Sequence, residues 1–274
     1  MILTNLGIIR ILTLGRYFMK LSIATSNRNR FYPSSNASKW FIKSLEQQTL
    51  KDFELVIADG GSNNIEKLEC FANNFTTFPI KIIRFPIGEK FERSRLNNVA
   101  IRNSSSDYIM TTDVDMFFST LFLETLFSHC SENTFVESRT MYWRQSLADQ
   151  IYDGKLDPFN DINNCRIGRL KKRTTAGGCQ CANKILWDRV RGFDEKYIGW
   201  GSEDVDLLKR MTMSGAKIKW LGEEPDSIML FHQPHDKPNI KGDLEDQDVN
   251  KRILNHIDNY VVNKDGWGGQ NEDL

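Results

Sequence analysis

The 274-residue chain carries 36 Lys plus Arg against 36 Asp plus Glu, a formal net charge of zero that offers no global attraction to nucleic acid or to an anionic membrane. With 40% hydrophobic and 26% charged residues it has the composition of a globular chain, long enough to bury a substantial core as one domain or two intimately packed halves. Its five cysteines, Cys70, Cys130, Cys165, Cys179 and Cys181, are odd in number and scattered, which argues for reduced thiols and a cytoplasmic site.

Residues 1–18 read as an N-terminal extension. Its apolar run from Leu6 to Leu14 is shorter than the about 20 residues a bilayer span needs, and no small-residue cleavage site follows. Met19-Lys20-Leu21-Ser22-Ile23 reads as a bare first strand, so Met19 suits a true start. The extension is expected to lie outside the native domain; the alternative is a weak interfacial anchor, peripheral at an inner membrane. Leu21–Thr25 reads as a strand. Ala37–Gln48 reads as a helix, with Trp40, Phe41, Ser44, Leu45 and Gln48 on one face. Phe53–Ala58 is a second strand, Ile65–Phe71 a helix, Ile80–Phe85 a third strand, Phe91–Arg102 a helix and Tyr108–Thr112 a fourth strand. Strands alternating with helices imply parallel βαβ units in an open α/β sheet.

The second half is less regular. Asp149–Thr175 reads as a long loop, and its run Arg169–Arg173 holds four basic residues. That run suits a solvated loop or a phosphate-facing lid. Cys179 and Cys181 are too close in sequence for the usual zinc spacing; in a strand both face one way, into a core. Ile185–Val190 and Glu203–Met213 read as helices. The polar, Gly-rich residues 263–274 read as a flexible tail.

Ligands in open α/β sheets bind beyond the carboxyl ends of the strands. Three predicted strands end in polar clusters: Thr25-Ser26-Asn27-Arg28, Asp59-Gly60-Gly61-Ser62 and Asp113-Val114-Asp115. Each alone suits an ordinary turn; a parallel sheet brings all three to one edge. The chain has no Gly-x-Gly-x-x-Gly and no Gly-x-x-x-x-Gly-Lys-Ser/Thr, so a nucleotide's phosphates are not cradled in either of those ways. A hard divalent ion held by Asp113 and Asp115 is the other means of neutralising them.

The segment Gly177-Gly178-Cys179, then Gly192-Phe193-Asp194-Glu195, then Gly199-Trp200-Gly201-Ser202-Glu203-Asp204 resembles the acceptor half of GT-A glycosyltransferases. The likeness is to β4-galactosyltransferases and bacterial chondroitin-polymerase-type modules, and it covers roughly residues 20 to 245; the earlier motifs are generic for family-2-like glycosyltransferases. The resemblance implies a GT-A fold, α/β with a mostly parallel central sheet flanked by helices. Residues 19–262 form its single domain, with a donor half at 19–116 and an acceptor half at 117–262.

It also implies roles. Thr25, Asn27, Arg28, Asp59 and Asn98 face the donor, Asp59 at the uracil or ribose. Asp113 and Asp115 sit at the ribose and metal, with Asp115 the direct ligand. His232 is a metal ligand and Met229 a weak one, in a set that suits Mn2+ (or Mg2+); a buried structural histidine is the alternative for His232. Gly178, Trp200, Gly201 and Glu203 line the acceptor and sugar site, and Asp204 is the catalytic base beside Glu203. Both acids also suit a helix N-terminus, whose dipole favours negative charge. Two positions depart from the pattern: Ser202 replaces a usual Gly, and Asn97-Asn98 stand where the helix before the Asp pair usually carries Arg-Asn. His235 has no assigned role and suits a surface loop.

The implied chemistry is metal-dependent, inverting transfer of a hexose or N-acetylhexosamine from a UDP-sugar to a hydroxyl of a glycan or glycolipid acceptor, as in capsule or lipopolysaccharide outer-core assembly. A metal neutralises the leaving diphosphate, and a carboxylate accepts the hydroxyl proton. The rival is a non-catalytic sugar-binding subunit that keeps the fold.

Overall fold

Four strands form the parallel part of a seven-stranded sheet: β1 (Leu21–Asn27), β2 (Phe53–Asp59), β3 (Ile80–Arg84) and β4 (Tyr108–Thr112). In the computed structural model, which describes residues 20–31, 36–160, 177–199, 201–222, 229–234 and 240–269 (240–244 as backbone only), they lie in the order β3-β2-β1-β4. Every residue of β1 and β2 is buried, as expected of strands covered on both faces. Helices α1 (Asn36–Glu46), α2 (Ile65–Asn74) and α3 (Arg93–Arg102) make the crossovers.

Alternation along the strands builds two cores. Leu21, Ile23, Leu55 and Ile57 face one core with Phe41 and Leu45 of α1. Ala24, Val56 and Ala58 face the other with Leu96 and Val99 of α3.

Beyond β4 the sheet changes direction. β8 (Cys179–Asn183) runs antiparallel to β4 and to β6 (Thr134–Ser138), and β9 (Lys217–Leu221) closes the edge parallel to β6. Cys179 and Cys181 are fully buried in the first core, as their spacing predicts, while Ala182 enters the second. A second sheet has the order β5-β10-β7, formed by β5 (Met116–Phe118), β7 (Thr140–Tyr142) and β10 (Leu230–His232). It rests on a third core of Phe117, Trp143, Phe231 and the apolar face of α5 (Gln145–Tyr152). Helices α4 (Phe122–Ser128), α6 (Lys184–Val190), α7 (Glu203–Met213) and α8 (Ile240–Asn255) complete the elements.

Two expectations are corrected. The loop predicted from Asp149 begins as helix, because Leu147, Ala148 and Ile151 bury one face of α5; its basic run, Arg169–Arg173, lies outside the described residues. Residues 263–269 are not a loose tail. Trp267 is 3% exposed and packs in the second core. The Asn263 side chain donates to the carbonyls of Arg191 and Phe193, and the Gly268 N–H donates to Glu195. Residues 1–18, 270–274 and His235 fall outside the described residues. Among the described residues, no helix is long and apolar enough to cross a membrane.

Candidate active site

β1 and β2 end in register, Asn27 opposite Asp59. The Asn27 amide donates to Asp59 Oδ1 at 2.7 Å and to Ser62 Oγ at 3.2 Å. Asp59 Oδ2 accepts from the N–H groups of Gly61 and Ser62 at 3.1 and 2.8 Å. Gly61 turns at φ 95°, a conformation glycine adopts without steric cost. The result is a small hydrogen-bonded platform. Thr25 lies fully buried beneath it, without surface to offer a ligand. Arg28 reaches sideways to the carbonyls of Gly88 and Glu89, at 2.7 and 3.2 Å.

At the end of β4 the chain passes through Asp113 and Asp115 into β5, and β10 pairs antiparallel with β5 so that His232 stands opposite Met116. That register leaves His232 Nε2 3.7 Å from Asp115 Oδ1. Arg30 approaches the other carboxylate oxygen of Asp115 at 3.6 Å. Tyr142 lies against the His232 ring, centroids 5.1 Å apart. Burial and the charges of Asp113, Asp115 and Asp204 hold its phenol above the ordinary range. Met229 packs against the third core.

Arg93, the first residue of α3, occupies the centre. Its guanidinium meets Asp113 Oδ1 at 2.9 Å, Glu203 Oε1 at 2.8 Å and Asp204 Oδ1 at 2.9 Å. A planar fork of five donors can serve several carboxylates at once. One cation against three acids still leaves excess negative charge. Burial, reinforced by the charge of Asp204 and opposed by Arg93, raises Glu203 to about 7. Burial also raises Asp204; Arg93 opposes that shift and the charge of Asp113 adds to it.

Helix α7 presents Glu203 and Asp204 from its first turn, where its dipole favours acids. The backbone before it is tightly turned. Ser202 adopts φ 77°, so the position where the pattern carries Gly is a left-handed one that Ser fills here at a conformational cost. Gly201, at φ 110°, donates its N–H to Glu203 Oε2 at 2.8 Å. Trp200 lies outside the described residues. A Cβ on Gly177 would stand 2.2 Å from Asp204 Oδ2, and one on Gly178 2.1 Å from Thr140 Oγ1. The Gly-Gly pair therefore lets backbone lie directly against the acid pair and the small sheet.

Asn98 is corrected. It is fully buried and clamps the turn after α6: its Oδ1 accepts from Phe193 N–H, and its Nδ2 donates to Phe193 O and Glu195 Oε1, at 2.8, 2.9 and 2.9 Å. The arginine of this helix that reaches the site is Arg93, one turn before Asn97 on the same helical face. Sequence reasoning missed it; its place at the start of a helix that begins beside the ligand edge was the available signal. It missed Tyr142 and Arg30 as well.

Among the described residues, no three His, Cys, Asp or Glu side chains are gathered so as to hold a metal ion. Asp113, drawn to Arg93, stands apart from the Asp115–His232 pair.

A parallel sheet continued by an antiparallel strand, with an acid pair at a helix start beside its edge, has the architecture of a GT-A glycosyltransferase. A family model described as glycosyl transferase family 2 matches residues 32–187, more than half of the chain, and the chain belongs to that family. A second model, described as the N-terminal domain of galactosyltransferase, matches residues 161–233. Human chondroitin sulfate synthase 3 is 26% identical over 185 residues, covering 65% of this chain and 20% of that protein. Chondroitin synthase of Pasteurella multocida (strain Pm70) is 22% identical over 268 residues, covering 86% and 26%. Human beta-1,4-galactosyltransferase 4 is 27% identical over 160 residues, covering 57% and 39%. The chain thus spans about a fifth to a quarter of the length of these chondroitin-type relatives. In fold it is similar to S. aureus TarS 1–349 in complex with UDP, with a TM-score of 0.54 and 16% identity over 79% of this chain and 61% of that one. The same protein in complex with UDP-GlcNAc gives a TM-score of 0.52 with 16% identity, covering 80% and 60%.

Proposed function

We propose that the chain moves a hexose or N-acetylhexosamine from a UDP-sugar to a hydroxyl of a glycan or glycolipid acceptor, with inversion. The observation that carries this reading is the shared guanidinium: Asp113 from the donor edge and Glu203–Asp204 from α7 meet on Arg93. Donor-side and acceptor-side acids thus belong to one cluster. UDP and UDP-GlcNAc in the TarS complexes support a uridine donor. The Asn27–Asp59 platform fixes the Gly61–Ser62 backbone at the edge where the uracil or ribose would lie.

In this reading Asp204 accepts the proton of the attacking hydroxyl. A raised carboxylate is the stronger base, closer to neutral operating pH. Glu203, held by Arg93 and the Gly201 N–H, orients sugar hydroxyls. One base acting through one displacement inverts the anomeric centre. Asp115 and His232, 3.7 Å apart, are the carboxylate and imidazole that would hold a Mn2+ or Mg2+ ion, while Asp113 is engaged by Arg93. Such an ion, when bound, supplies charge neutralisation for the leaving diphosphate.

The test is UDP release from a panel of UDP-GalNAc, UDP-Gal and UDP-GlcNAc with a glycan acceptor, in Mn2+ or in EDTA. Acceptor-dependent release with one donor, abolished by EDTA and restored by Mn2+, is expected. Donor binding without release from any sugar would support a binding subunit instead. Full turnover by protein shown to be metal-free would remove the ion from the mechanism.

A further inference from the structure

Next to the acid pair lies a carboxyl group that the proposed reaction does not use. Glu137 on β6 is fully buried and stands opposite Gln180 of β8 in the antiparallel register. Gln180 Nε2 donates to Glu137 Oε1 at 2.7 Å. The same Nε2 donates to the backbone carbonyl of Asp204 at 3.3 Å. The Gly177 backbone lies beside the Glu137 carboxyl and opposes the upward shift of its pKa, and Gly177 is the residue whose absent side chain lets backbone lie against Asp204. Glu137 and Gln180 therefore stand against both backbone segments that bracket Asp204, Gln180 by a hydrogen bond to the Asp204 carbonyl and Glu137 beside Gly177.

Each of the two carries one buried atom with no hydrogen-bond partner among the described residues, Glu137 Oε2 and Gln180 Oε1. Native proteins seldom leave such atoms orphaned. An ionised Glu137 has no hydrogen to give, so both oxygens stay orphaned. A protonated Glu137 offers an O–H on Oε2, and Gln180 Oε1 is an acceptor on the facing amide. A reciprocal acid–amide pair, with one proton on Oε2, would satisfy both atoms.

We propose that Glu137 and Gln180 are positioning residues for the base: an acid–amide couple that fixes the Asp204 backbone and the Gly177 turn. This rests on the reading of Asp204 as the base. Burial supports it by holding the Glu137 carboxyl well above its usual range, with the charge of Asp204 adding to the shift and the Gln180 hydrogen bond opposing it. The titratable groups facing Glu137 are Asp204 from α7 and Cys179 from β8; its partner on β9 is Trp220, which does not titrate.

The experiment uses the full chain and compares Glu137→Gln, Glu137→Leu and Asp204→Asn. Gln reproduces the neutral acid, because two amides pair in the same reciprocal way. E137Q should keep kcat within about twofold near neutral pH, whereas E137L should lose on the order of 10²-fold in kcat with donor KM unchanged, the scale of a misplaced catalytic group. A raised folded-state carboxyl lends stability at low pH that is lost as pH rises. The wild-type melting temperature should therefore fall with rising pH above the ordinary glutamate range, with a slope up to one proton steeper than in E137Q. On the alkaline limb, wild-type kcat should fall while E137Q holds. If E137L does not fold, the E137Q pH profiles decide. Full kcat in folded E137L, or identical pH profiles for wild type and E137Q, would overturn the proposal while an inactive D204N left the base in place. An active D204N would remove the base, and this role with it.

Discussion

At the carboxyl ends of β1 and β2, Asn27, Asp59 and Ser62 bond to one another and to their own backbone. At the end of β4 and the start of α7, three carboxylates instead converge on Arg93. The first cluster is complete within itself, its polar groups answered by one another and by the turn that follows β2. The second holds more negative charge than its one cation balances, and burial raises Glu203 and Asp204 above their ordinary range. The difference sets two kinds of cluster beside each other: one closed by its own hydrogen bonds, the other held by a cation that several carboxylates share.

Removing the cation should disturb the second cluster most. Arg93→Met leaves three acids crowded without compensation; breaking a buried pair from one side costs about 3–5 kcal/mol. Thermal melts at pH 7.5 should show a loss of that order, shrinking at acid pH as the acids take up protons. An unchanged melting curve at both pH values would show that Arg93 does not bind the cluster together.

The first cluster should respond in a different currency. Asp59→Ala removes one of the two acceptors of the Asn27 amide and the partner of two backbone N–H groups, a loss of about 1–3 kcal/mol. Donor KM should rise roughly tenfold with kcat nearly unchanged, the sign of lost uniform binding. A fall in kcat at constant KM would move Asp59 into the chemistry.

Asn98→Ala sharpens the boundary between site and scaffold. It removes the clamp on Phe193 and Glu195, so stability should fall by about 1–3 kcal/mol while donor affinity stays the same. Weaker donor binding at an unchanged melting temperature would return Asn98 to the donor site.

The four parallel strands could be read in advance because branched or aromatic apolar residues recur through each segment of five to seven residues and the chain alternates them with helical patterns. β5, β7 and β10 could not: three residues carry no period, and their pairing depends on partners far along the chain. The same distance hid Arg93, whose contacts to Glu203 and Asp204 span 110 and 111 residues. Glu203 and Asp204 were readable through a long, specific motif. Trp267 was not, since one aromatic among glycines gives no periodic signal, and its burial depends on Gly192 leaving room. Ser202 shows the converse, a residue whose strained backbone only coordinates reveal.

The central claim is that Asp204 accepts the proton. Asp204→Asn keeps the shape and an oxygen for Arg93 but removes the base. Donor titration by calorimetry in Mn2+, beside a product assay with the donor the panel identifies, separates binding from chemistry. The account predicts donor affinity within about twofold of wild type and turnover lower by roughly 10²-fold or more, the scale of a lost general base, with an inverted anomer in the wild-type product. An Asp204→Asn enzyme that turns over at the wild-type rate, or a wild-type product with retained configuration by NMR, would contradict it.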